Sequence, residues 1–558
     1  MHSRFAAAGL IIPILFSTLA HGQFTPGARS SGDPYLPASG NGGYDVQHYD
    51  LSIHYDPVAN RIVSTADITI RADQGLSEFA LDLRGFTNAT VEIDGVGAPV
   101  TRATDKLIVT PADGIEEGRV FHAVIDYSGV PATIIDPDGT REGWVRVSTG
   151  GLVINEPRGA MGWFPNNNMP SDKATYDFHI TVTNTHTALG NGELRSKVDN
   201  GDGTITWNWH MGYPMSSYLS TATVGRFDYA KTTGATGLSP NGNPIEFHDA
   251  IESALSAAQK RAATTNAARQ EGIIKFMVDE IGLPYPFDSH GVVLHRNSQN
   301  FALEVQTKSH FAFDSIDPTL LAHEVAHQWY GNCVGPATWR EIWFNEGWAT
   351  WWEWYWNNKQ NRNPTTVEQQ FTATYSSGGA WSMPPARLNG AAELFNYFSV
   401  YLRPAMMIEA YRQIVGHSTF FALQRAILTE HAYGSITEAQ FVALAKRLAE
   451  EHSGFVASHL AKLDEFFQQW LRGTTRPTLT PTAFFRQVPP RLAIRSLDAN
   501  QLEIGWPTNS VRFVLEQSKD LTSTSWTPVS LPPAVVNGQA KVVLARPDGN
   551  QFYRLRSE

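Results

Sequence analysis

The feature that most constrains this chain is a pair of histidines four residues apart, His323 and His327, followed by Glu346 with eighteen residues between His327 and Glu346. On a helix, side chains at i and i+4 project from one face, so both imidazoles can reach one metal ion. The residues around Glu346 also have a helical pattern, and a catalytic zinc site needs three protein ligands and one open position. Glu324 can reach a metal-bound water. The spacing predicts one zinc ion held by His323, His327 and Glu346, with Glu324 as general base.

Length and composition bound the rest of the molecule. A chain of 558 residues is too long for one hydrophobic core, so we expect three or four domains. Hydrophobic residues make up 42% and charged residues 17%, which is typical of a well-packed globular protein. The net charge of −11 is spread without a basic stripe, which argues against nucleic acid and against anionic membrane surfaces as partners.

The N-terminus has the pattern of a signal peptide, predicted over residues 1–22. Arg4 precedes an apolar run, Phe5 to Leu19, which is too short to span a bilayer. No later stretch is apolar enough to cross a membrane, so we expect a secreted or periplasmic protein. Cys333 is the only cysteine, which excludes an intramolecular disulfide. A small buried residue is favoured there over a metal ligand or nucleophile.

Changes in pattern predict the organisation of the mature chain. An extended arm is followed by short alternating strands, then by a region of mainly helical pattern, a Thr- and Pro-rich linker and a second β region. Within the helical region, one long helical run begins near Ile251, and VVLHR and NFALEVQT are predicted as strands. The predicted limits are 23–43 for the arm, 44–229 for the β domain, 230–473 for the catalytic domain, 474–481 for the linker and 482–558 for the C-terminal β domain.

The segments HEVAHQWYGN and WFNEGWAT resemble the aminopeptidase N family of gluzincin zinc metallopeptidases. Three further segments match in order. Residues 301–305, FALEV, resemble the Gly-x-Met-Glu-Asn exopeptidase motif, and residues 401–404, YLRP, resemble the Tyr-x-Lys-Gly segment. Residues 155–173, from NEP to PSDK, resemble the part of the N-terminal domain that enters the active site. The resemblance covers about residues 44 to 473.

The resemblance implies a fold and a set of roles. The fold is multidomain α+β, with an all-β saddle-like N-terminal domain and a thermolysin-like α/β catalytic domain that ends in a short helical tail. The last segment resembles the small β-sandwich modules of secreted bacterial proteins. Tyr401 would stabilise the oxyanion, with Tyr397 as the nearby alternative. Glu304 and Glu156 would bind the α-ammonium group of the substrate.

Some positions depart from the family pattern or remain open. Phe301 and Val305 replace the Gly and Asn of the exopeptidase motif, and Pro404 replaces the Gly after the tyrosine, which puts the shape of the substrate cleft in question. We expect no counterpart of the large helical C-terminal domain of many relatives, because only about 70 residues of helical pattern follow Tyr401. Glu353 lies two helical turns beyond Glu346. It either orients a zinc-binding histidine or is a solvated acid.

Three functions follow from these residues. The first is a secreted zinc aminopeptidase that removes N-terminal residues from peptides. The second is a zinc endopeptidase or another hydrolase on the same scaffold, favoured if Phe301 reshapes the amine site. The third is a non-catalytic peptide-binding relative, which is least favoured because every predicted ligand and catalytic residue is present. The C-terminal β domain has three open roles: surface attachment, binding of a glycan or protein, and stabilisation.

Overall fold

The computed structural model describes residues 24–296, 300–360, 364–485, 492–507, 513–522, 525–536 and 539–557. The predicted signal peptide, residues 1–22, lies outside this part of the chain. The chain divides into two compact units, Met1–Thr478 and Leu479–Glu558. Among the described residues, none of the helices combines the length and the apolar character needed to cross a bilayer.

The first part of the larger unit is built from strands whose side chains alternate between buried and exposed, which is why this sequence forms a sheet with one covered face. The strands are β1 (Thr25–Pro26), β2 (Tyr44–Asp56), β3 (Arg61–Ala72), β4 (Leu76–Asp82), β5 (Thr90–Ile93), β6 (Val96–Ala98), β7 (Val100–Ala103), β8 (Lys106–Val109), β9 (Val120–Gly129), β10 (Thr133–Ile135), β11 (Arg141–Val147), β12 (Gly150–Ile154), β13 (Lys173–Thr183), β14 (Thr187–Gly190), β15 (Glu193–Asp199), β16 (Thr204–Ser216) and β17 (Ala222–Gly225).

Three sheets organise these strands. The longest has eight strands in the order β15-β16-β13-β2-β3-β9-β5-β6, and a five-stranded sheet has the order β10-β11-β12-β17-β14. A four-stranded sheet, β1-β4-β8-β7, completes the region. Aromatic rings fill the interior: Tyr49 stacks on Tyr176 at 4.8 Å between ring centroids and meets Phe164 edge to face at 5.5 Å. The predicted all-β N-terminal region is therefore present.

The segment predicted as an extended arm contacts both halves of the larger unit. Its first strand, β1, pairs with β4. Further along, the Asp33 carboxylate accepts a hydrogen bond from the Trp339 N–H at 2.7 Å. The Tyr35 hydroxyl accepts one from the Leu388 N–H at 2.8 Å. The segment thus ties the β region to the helical region.

The helical region contains a six-stranded sheet and a set of helices. Its elements are β18 (Phe227–Thr233), β19 (Glu246–Glu252), α1 (Ala257–Ala267), α2 (Gln270–Ile281), β20 (Ser289–His290), β21 (Val292–Leu294), β22 (Ala302–Leu303), β23 (Ser309–Phe311), α3 (Pro318–His327), β24 (Gly335–Pro336), α4 (Ile342–Lys359), α5 (Val367–Ser377), α6 (Arg403–Val415), α7 (His417–Glu430), β25 (Ser435–Ile436), α8 (Glu438–Ser453) and α9 (Ala457–Phe467). The strand order is β18-β19-β21-β23-β22, with β20 also paired to β19. The strand β22 is an antiparallel edge strand. The multidomain α+β class predicted from the sequence is confirmed.

Local boundaries differ from the sequence predictions. The helical run predicted from Ile251 begins only at Ala257, because Ile251 and Glu252 complete β19 and Ser256 caps α1. The run is also broken between α1 and α2. The strand predicted over residues 300–307 is limited to Ala302–Leu303. The boundary predicted at 229/230 falls inside β18, whose partner β19 belongs to the six-stranded sheet.

Helices α3 and α4 form the centre of this region. Asp317 caps α3 by accepting hydrogen bonds from the N–H groups of the next turn, and Pro318 occupies the first helical position. Helix α4 is apolar on most of its circumference and is buried accordingly. Its tryptophans at 343, 348, 351 and 352 are fully buried, so the Trp-rich run is mainly a packing feature. Trp354 is partly exposed.

A buried arginine holds the end of the helical region in place. Arg403 is fully buried and donates hydrogen bonds to four main-chain carbonyls, at 2.6 to 2.9 Å. The acceptors are the carbonyls of Trp381, Gln469, Trp470 and Gly473. Burial lowers the pKa of the guanidinium to about 10. Arg403 lies two residues beyond Tyr401, so these bonds join the tail to the segment that carries the tyrosine.

We expect Arg403→Met to lower the free energy of unfolding by about 3 kcal/mol or more, because four buried carbonyls lose their donor. The measurement is the midpoint of urea unfolding, monitored by tryptophan fluorescence. Arg195→Met is the matched control, since the Arg195 side chain is 57% exposed. Equal midpoints for the two variants would contradict the role assigned to Arg403.

The smaller unit contains a short helix and two sheets. Its elements are α10 (Pro481–Phe485), β26 (Ala493–Ser496), β27 (Gln501–Pro507), β28 (Phe513–Ser518), β29 (Thr527–Pro528), β30 (Ala534–Val536), β31 (Gln539–Ala545) and β32 (Phe552–Ser557). The sheet orders are β26-β27-β31-β30 and β29-β28-β32. Trp506 and Val542 from one sheet share a core with Leu515 and Leu555 from the other. Two sheets around one core make this unit sandwich-like.

Candidate active site

The three predicted zinc ligands lie together. The Glu346 carboxylate oxygen Oε2 is 3.3 Å from Nε2 of His323 and 3.4 Å from Nε2 of His327. All three side chains are buried, and one donor atom from each lies within 4.8 Å of the others. Two imidazole nitrogens and one carboxylate oxygen are donors that zinc prefers. These residues therefore fit a zinc ion.

The far sides of the two histidines also face acceptors. Nδ1 of His327 lies 3.1 Å from the Tyr330 carbonyl. Nδ1 of His323 lies 3.3 Å from Oε2 of Glu353, although not in hydrogen-bond geometry. An acceptor on Nδ1 favours a ring whose Nε2 is free to bind a metal. Of the two readings of Glu353, the distance favours the one in which it orients His323.

The buried charges of the cluster shift one another's ionisation. Burial would raise the pKa of Glu346, but His327 and His323 outweigh it and hold that pKa at about 2. Burial would lower the pKa of His327, but Glu346 and Glu304 raise it to about 9. The His323 pKa is raised in the same way by Glu346 and Glu353. The protein alone therefore has an ionised carboxylate between two imidazoles with raised proton affinity.

Glu324 follows His323 on α3 and lines the same cavity as the three candidate ligands. It is 3% exposed. Burial raises the pKa of its carboxyl to about 8; His323 and His327 oppose the rise, and Glu304 adds to it. A carboxylate with a raised pKa is a stronger proton acceptor near neutral pH.

Glu304 directly follows the edge strand β22, and helix α3 and the turn after it hold its main chain. Its carbonyl accepts hydrogen bonds from Nδ2 of Asn332 at 2.7 Å and from Nε2 of Gln328 at 3.2 Å. Its carboxyl is buried, and Oε1 has no hydrogen-bond partner among the residues that the structure describes. Burial raises the pKa of the Glu304 carboxyl, Glu346 raises it further, and His327 opposes the rise.

Glu156 comes from the β region, just beyond β12. The turn is held by Asn155, whose Nδ2 donates to the Ser220 carbonyl at 2.5 Å and whose Oδ1 accepts from the Trp163 indole N–H at 3.0 Å. Oε1 of Glu156 is buried and, within the described ranges, has no hydrogen-bond partner. Burial raises the pKa of Glu156. Neighbouring acids raise it further, and Glu304 has the largest effect among them. Two parts of the chain thus bring two buried, unpartnered carboxyl oxygens to one place.

Tyr401 lies in a π-helical turn, Tyr397–Leu402, that leads into α6. Its ring stacks on the His323 ring, with 6.1 Å between centroids and 22° between planes. Burial and Glu346 raise the pKa of the Tyr401 phenol, so the group stays protonated at neutral pH. Tyr397 lines the same cavity but is 65% exposed. The positions favour Tyr401 over Tyr397 as the phenol at the candidate metal site.

The residues that depart from the family pattern have structural partners. Phe301 packs against the buried cluster that Val305 forms with Ile154, Leu303 and their neighbours, so both replacements join β22 to the five-stranded sheet. Gly347, next to Glu346, allows Pro404 close to α4, since a Cβ at Gly347 would lie 2.6 Å from the Pro404 Cβ. All three replacements, Phe301, Val305 and Pro404, are therefore compatible with the arrangement of the candidate active site.

Sequence reasoning missed Tyr218, which borders the acidic cluster. The side chain is 1% exposed, and its hydroxyl lies 3.3 Å from Nδ2 of Asn345, one residue before the ligand Glu346. Burial raises the pKa of Tyr218, and Glu304 and Glu156 raise it further. No motif surrounds Tyr218, so the sequence carried no signal for it. Cys333 is buried, as expected, and belongs to none of the possible metal-binding groups among the described residues.

Comparisons with known proteins agree with this arrangement. The family description "Peptidase family M1 domain" matches residues 266–470, and "Peptidase M1 N-terminal domain" matches residues 45–219. Leucine aminopeptidase 2 of Vanderwaltozyma polyspora is 25% identical over 361 residues, which are 58% of this chain and 50% of that protein. The chain thus spans about half the length of that relative, and less of others, such as 32% of a rat ectoenzyme that degrades thyrotropin-releasing hormone.

Solved structures are similar over most of the chain. The crystal structure of an M1 zinc metallopeptidase from Deinococcus radiodurans matches with a TM-score of 0.71 and 25% identity, covering 81% of this chain and 99% of that one. A mutant of the Deinococcus enzyme, solved with a Tyr-Ser-Ala substrate, matches with a TM-score of 0.72, the same identity and the same coverage.

Proposed function

The chain belongs to peptidase family M1, and from that premise we propose that it is a secreted zinc aminopeptidase that removes N-terminal residues from peptides. The observation that carries the proposal is the pair of buried, unpartnered carboxyl oxygens of Glu156 and Glu304 beside the cluster of His323, His327 and Glu346. Relatives named aminopeptidases support it. Secretion is proposed from the sequence of residues 1–22 alone.

His323, His327 and Glu346 would hold the zinc ion, which when bound supplies Lewis-acid chemistry by acidifying water and polarising a carbonyl. Glu324 accepts a proton from the attacking water and passes it to the leaving amine. Its burial makes it a stronger proton acceptor than a solvated carboxylate. The Tyr401 hydroxyl, kept protonated by its raised pKa, donates a hydrogen bond to the oxyanion of the tetrahedral intermediate.

Glu156 and Glu304 select the end of the chain that is cut. A free α-ammonium group can donate to these carboxyl oxygens, which have no hydrogen-bond partner in the described part of the chain. The attraction is strong because both groups are shielded from water. A peptide with a blocked amine, or one that continues past this point, would leave two buried acids close together without a cation.

The proposal is tested with fluorogenic leucine amide and its N-acetylated counterpart, each with and without a chelator. We expect cleavage of the free-amine substrate only, lost with chelator and restored by zinc. Glu304→Gln should lower kcat/KM for the free-amine substrate by roughly 10- to 100-fold, since one charged hydrogen bond is weakened. Glu117→Gln is the control, because Glu117 is exposed in a turn.

Other results would favour the alternatives. Cleavage of the acetylated amide or of internal bonds would replace the aminopeptidase by a zinc endopeptidase. Zinc bound without turnover of any substrate would favour the non-catalytic peptide-binding relative. The C-terminal unit stays a candidate for attachment to a surface, a glycan or a protein.

A further inference from the structure

A small cavity of about 140 Å³ opens beside the candidate active site. It adjoins the larger cavity that contains the candidate zinc ligands, because Glu156, Phe301, Leu303 and Tyr401 are among the residues that line both. In the proposed aminopeptidase, the substrate amine is held at Glu156 and the carbonyl under attack faces Tyr401. The first Cα of the substrate lies between these two groups, at the mouth of the small cavity.

The walls of the small cavity are mainly apolar. Phe301 and Phe395 supply two aromatic rings, and Ile154 and Leu303 supply aliphatic surface. Phe301, Ile154 and Leu303 belong to one packed cluster, so this wall is fixed by the fold. An apolar cavity of about 150 Å³ is large enough to hold a benzene ring. The volume therefore fits one large apolar side chain.

Charge at this cavity disfavours acidic side chains. Glu142 and Glu156 both line it, and burial together with neighbouring acids already raises the pKa of both carboxyls. A third carboxylate would therefore enter this poorly hydrated space at a further cost. Asp138 at the outer end adds to the repulsion.

Basic side chains gain little from these acids. Glu142 already accepts hydrogen bonds from the main-chain N–H groups of Arg158 and Gly159, at 2.8 to 3.2 Å. Arg141 lines the same outer end as Asp138, so a second cation would meet a like charge.

We infer that this cavity receives the first side chain of the substrate and selects large apolar residues such as leucine, methionine and phenylalanine. Phe301 and Phe395 are the specificity-determining residues. The inference rests on the proposed aminopeptidase function for its reaction, but not for its binding preference. Phe301, which replaces the glycine of the family pattern, is then a wall of the side-chain pocket.

The turnover test compares aminoacyl amides that share one fluorogenic leaving group. We expect kcat/KM for leucine and phenylalanine to exceed that for alanine and glycine by at least about tenfold, and that for glutamate by about a hundredfold. Lysine should fall below leucine. Phe395→Ala should lower the ratio of leucine to alanine kcat/KM by about tenfold. Phe313→Ala is the control, since Phe313 does not line the small cavity and should leave that ratio in place.

A binding test separates the two proposals. The zinc-loaded Glu324→Ala variant is titrated calorimetrically with free leucine, phenylalanine, alanine and glutamate. Leucine and phenylalanine bound about tenfold tighter than the others, without turnover of any amide by the parent protein, would reject the aminopeptidase and keep the pocket. Turnover that favours glutamate, lysine or glycine would overturn the pocket and keep the aminopeptidase. If Phe395→Ala left the leucine-to-alanine ratio of kcat/KM unchanged, that result would also overturn the pocket.

Discussion

We expect Glu324→Gln to lose roughly a hundredfold to ten-thousandfold in kcat while still binding one zinc ion per chain. Glutamine has nearly the same shape but cannot accept and return a proton, and Glu324 is not one of the three candidate zinc ligands His323, His327 and Glu346. The measurement pairs kcat on leucine amide with the zinc content of the purified protein. The Glu324→Gln substitution should leave the midpoint of urea unfolding near that of the parent protein.

The matched comparison for this variant is Glu346→Gln. Glu346 lies within 3.4 Å of both histidines, so its replacement should lower zinc affinity as well as turnover. If Glu324→Gln also lost its zinc, the division between ligand and base would be wrong. If its kcat were unchanged, another group would have to take the proton.

The second large effect is expected from Tyr401→Phe, which should lower kcat by about 100- to 1,000-fold, the usual cost of losing one oxyanion donor. The change removes only the hydroxyl and leaves the ring stacked on His323, so KM and stability should change little. The measurement is steady-state kinetics on leucine amide, with zinc content as a check on the site.

Tyr397→Phe is the control for Tyr401→Phe, because the two phenols lie in the same π-helical turn and line the same cavity. Tyr397 is largely exposed, so its variant should keep most of the activity of the parent. The reverse order of effects would assign the oxyanion role to Tyr397, the alternative that the sequence left open.

The cluster of candidate zinc ligands was predictable because its geometry is local. His323 and His327 need only one helix, and Glu346 needs only a second helix packed on the first. The approach of Glu353 to His323 follows from the same periodicity, yet a helical spacing alone does not tell a solvated acid from one that faces a histidine. The structure adds that distance, 3.3 Å.

The proposed amine site was harder to predict because it depends on contacts between distant segments. Glu156 and Glu304 are brought together by the packing of the five-stranded sheet against β22, and only the family resemblance pointed to the pair. Tyr218 had no signal at all. The break between α1 and α2 was missed because residues 257–281 are rich in helix formers throughout, and tertiary packing decided where the helices end.

The bonds of Arg403 set a limit on how short this chain can be made. Arg403 lies two residues downstream of the candidate oxyanion donor, Tyr401, and its guanidinium binds carbonyls at positions 469, 470 and 473. A protein shortened before Gly473 would deprive a buried cation of at least one of its four acceptors, next to the turn that contains Tyr401. A protein shortened after Thr478 keeps every one of them. The smallest active derivative should therefore end no earlier than Gly473. The interval from Gly473 to Thr478 offers a practical boundary for libraries of trimmed or recombined variants.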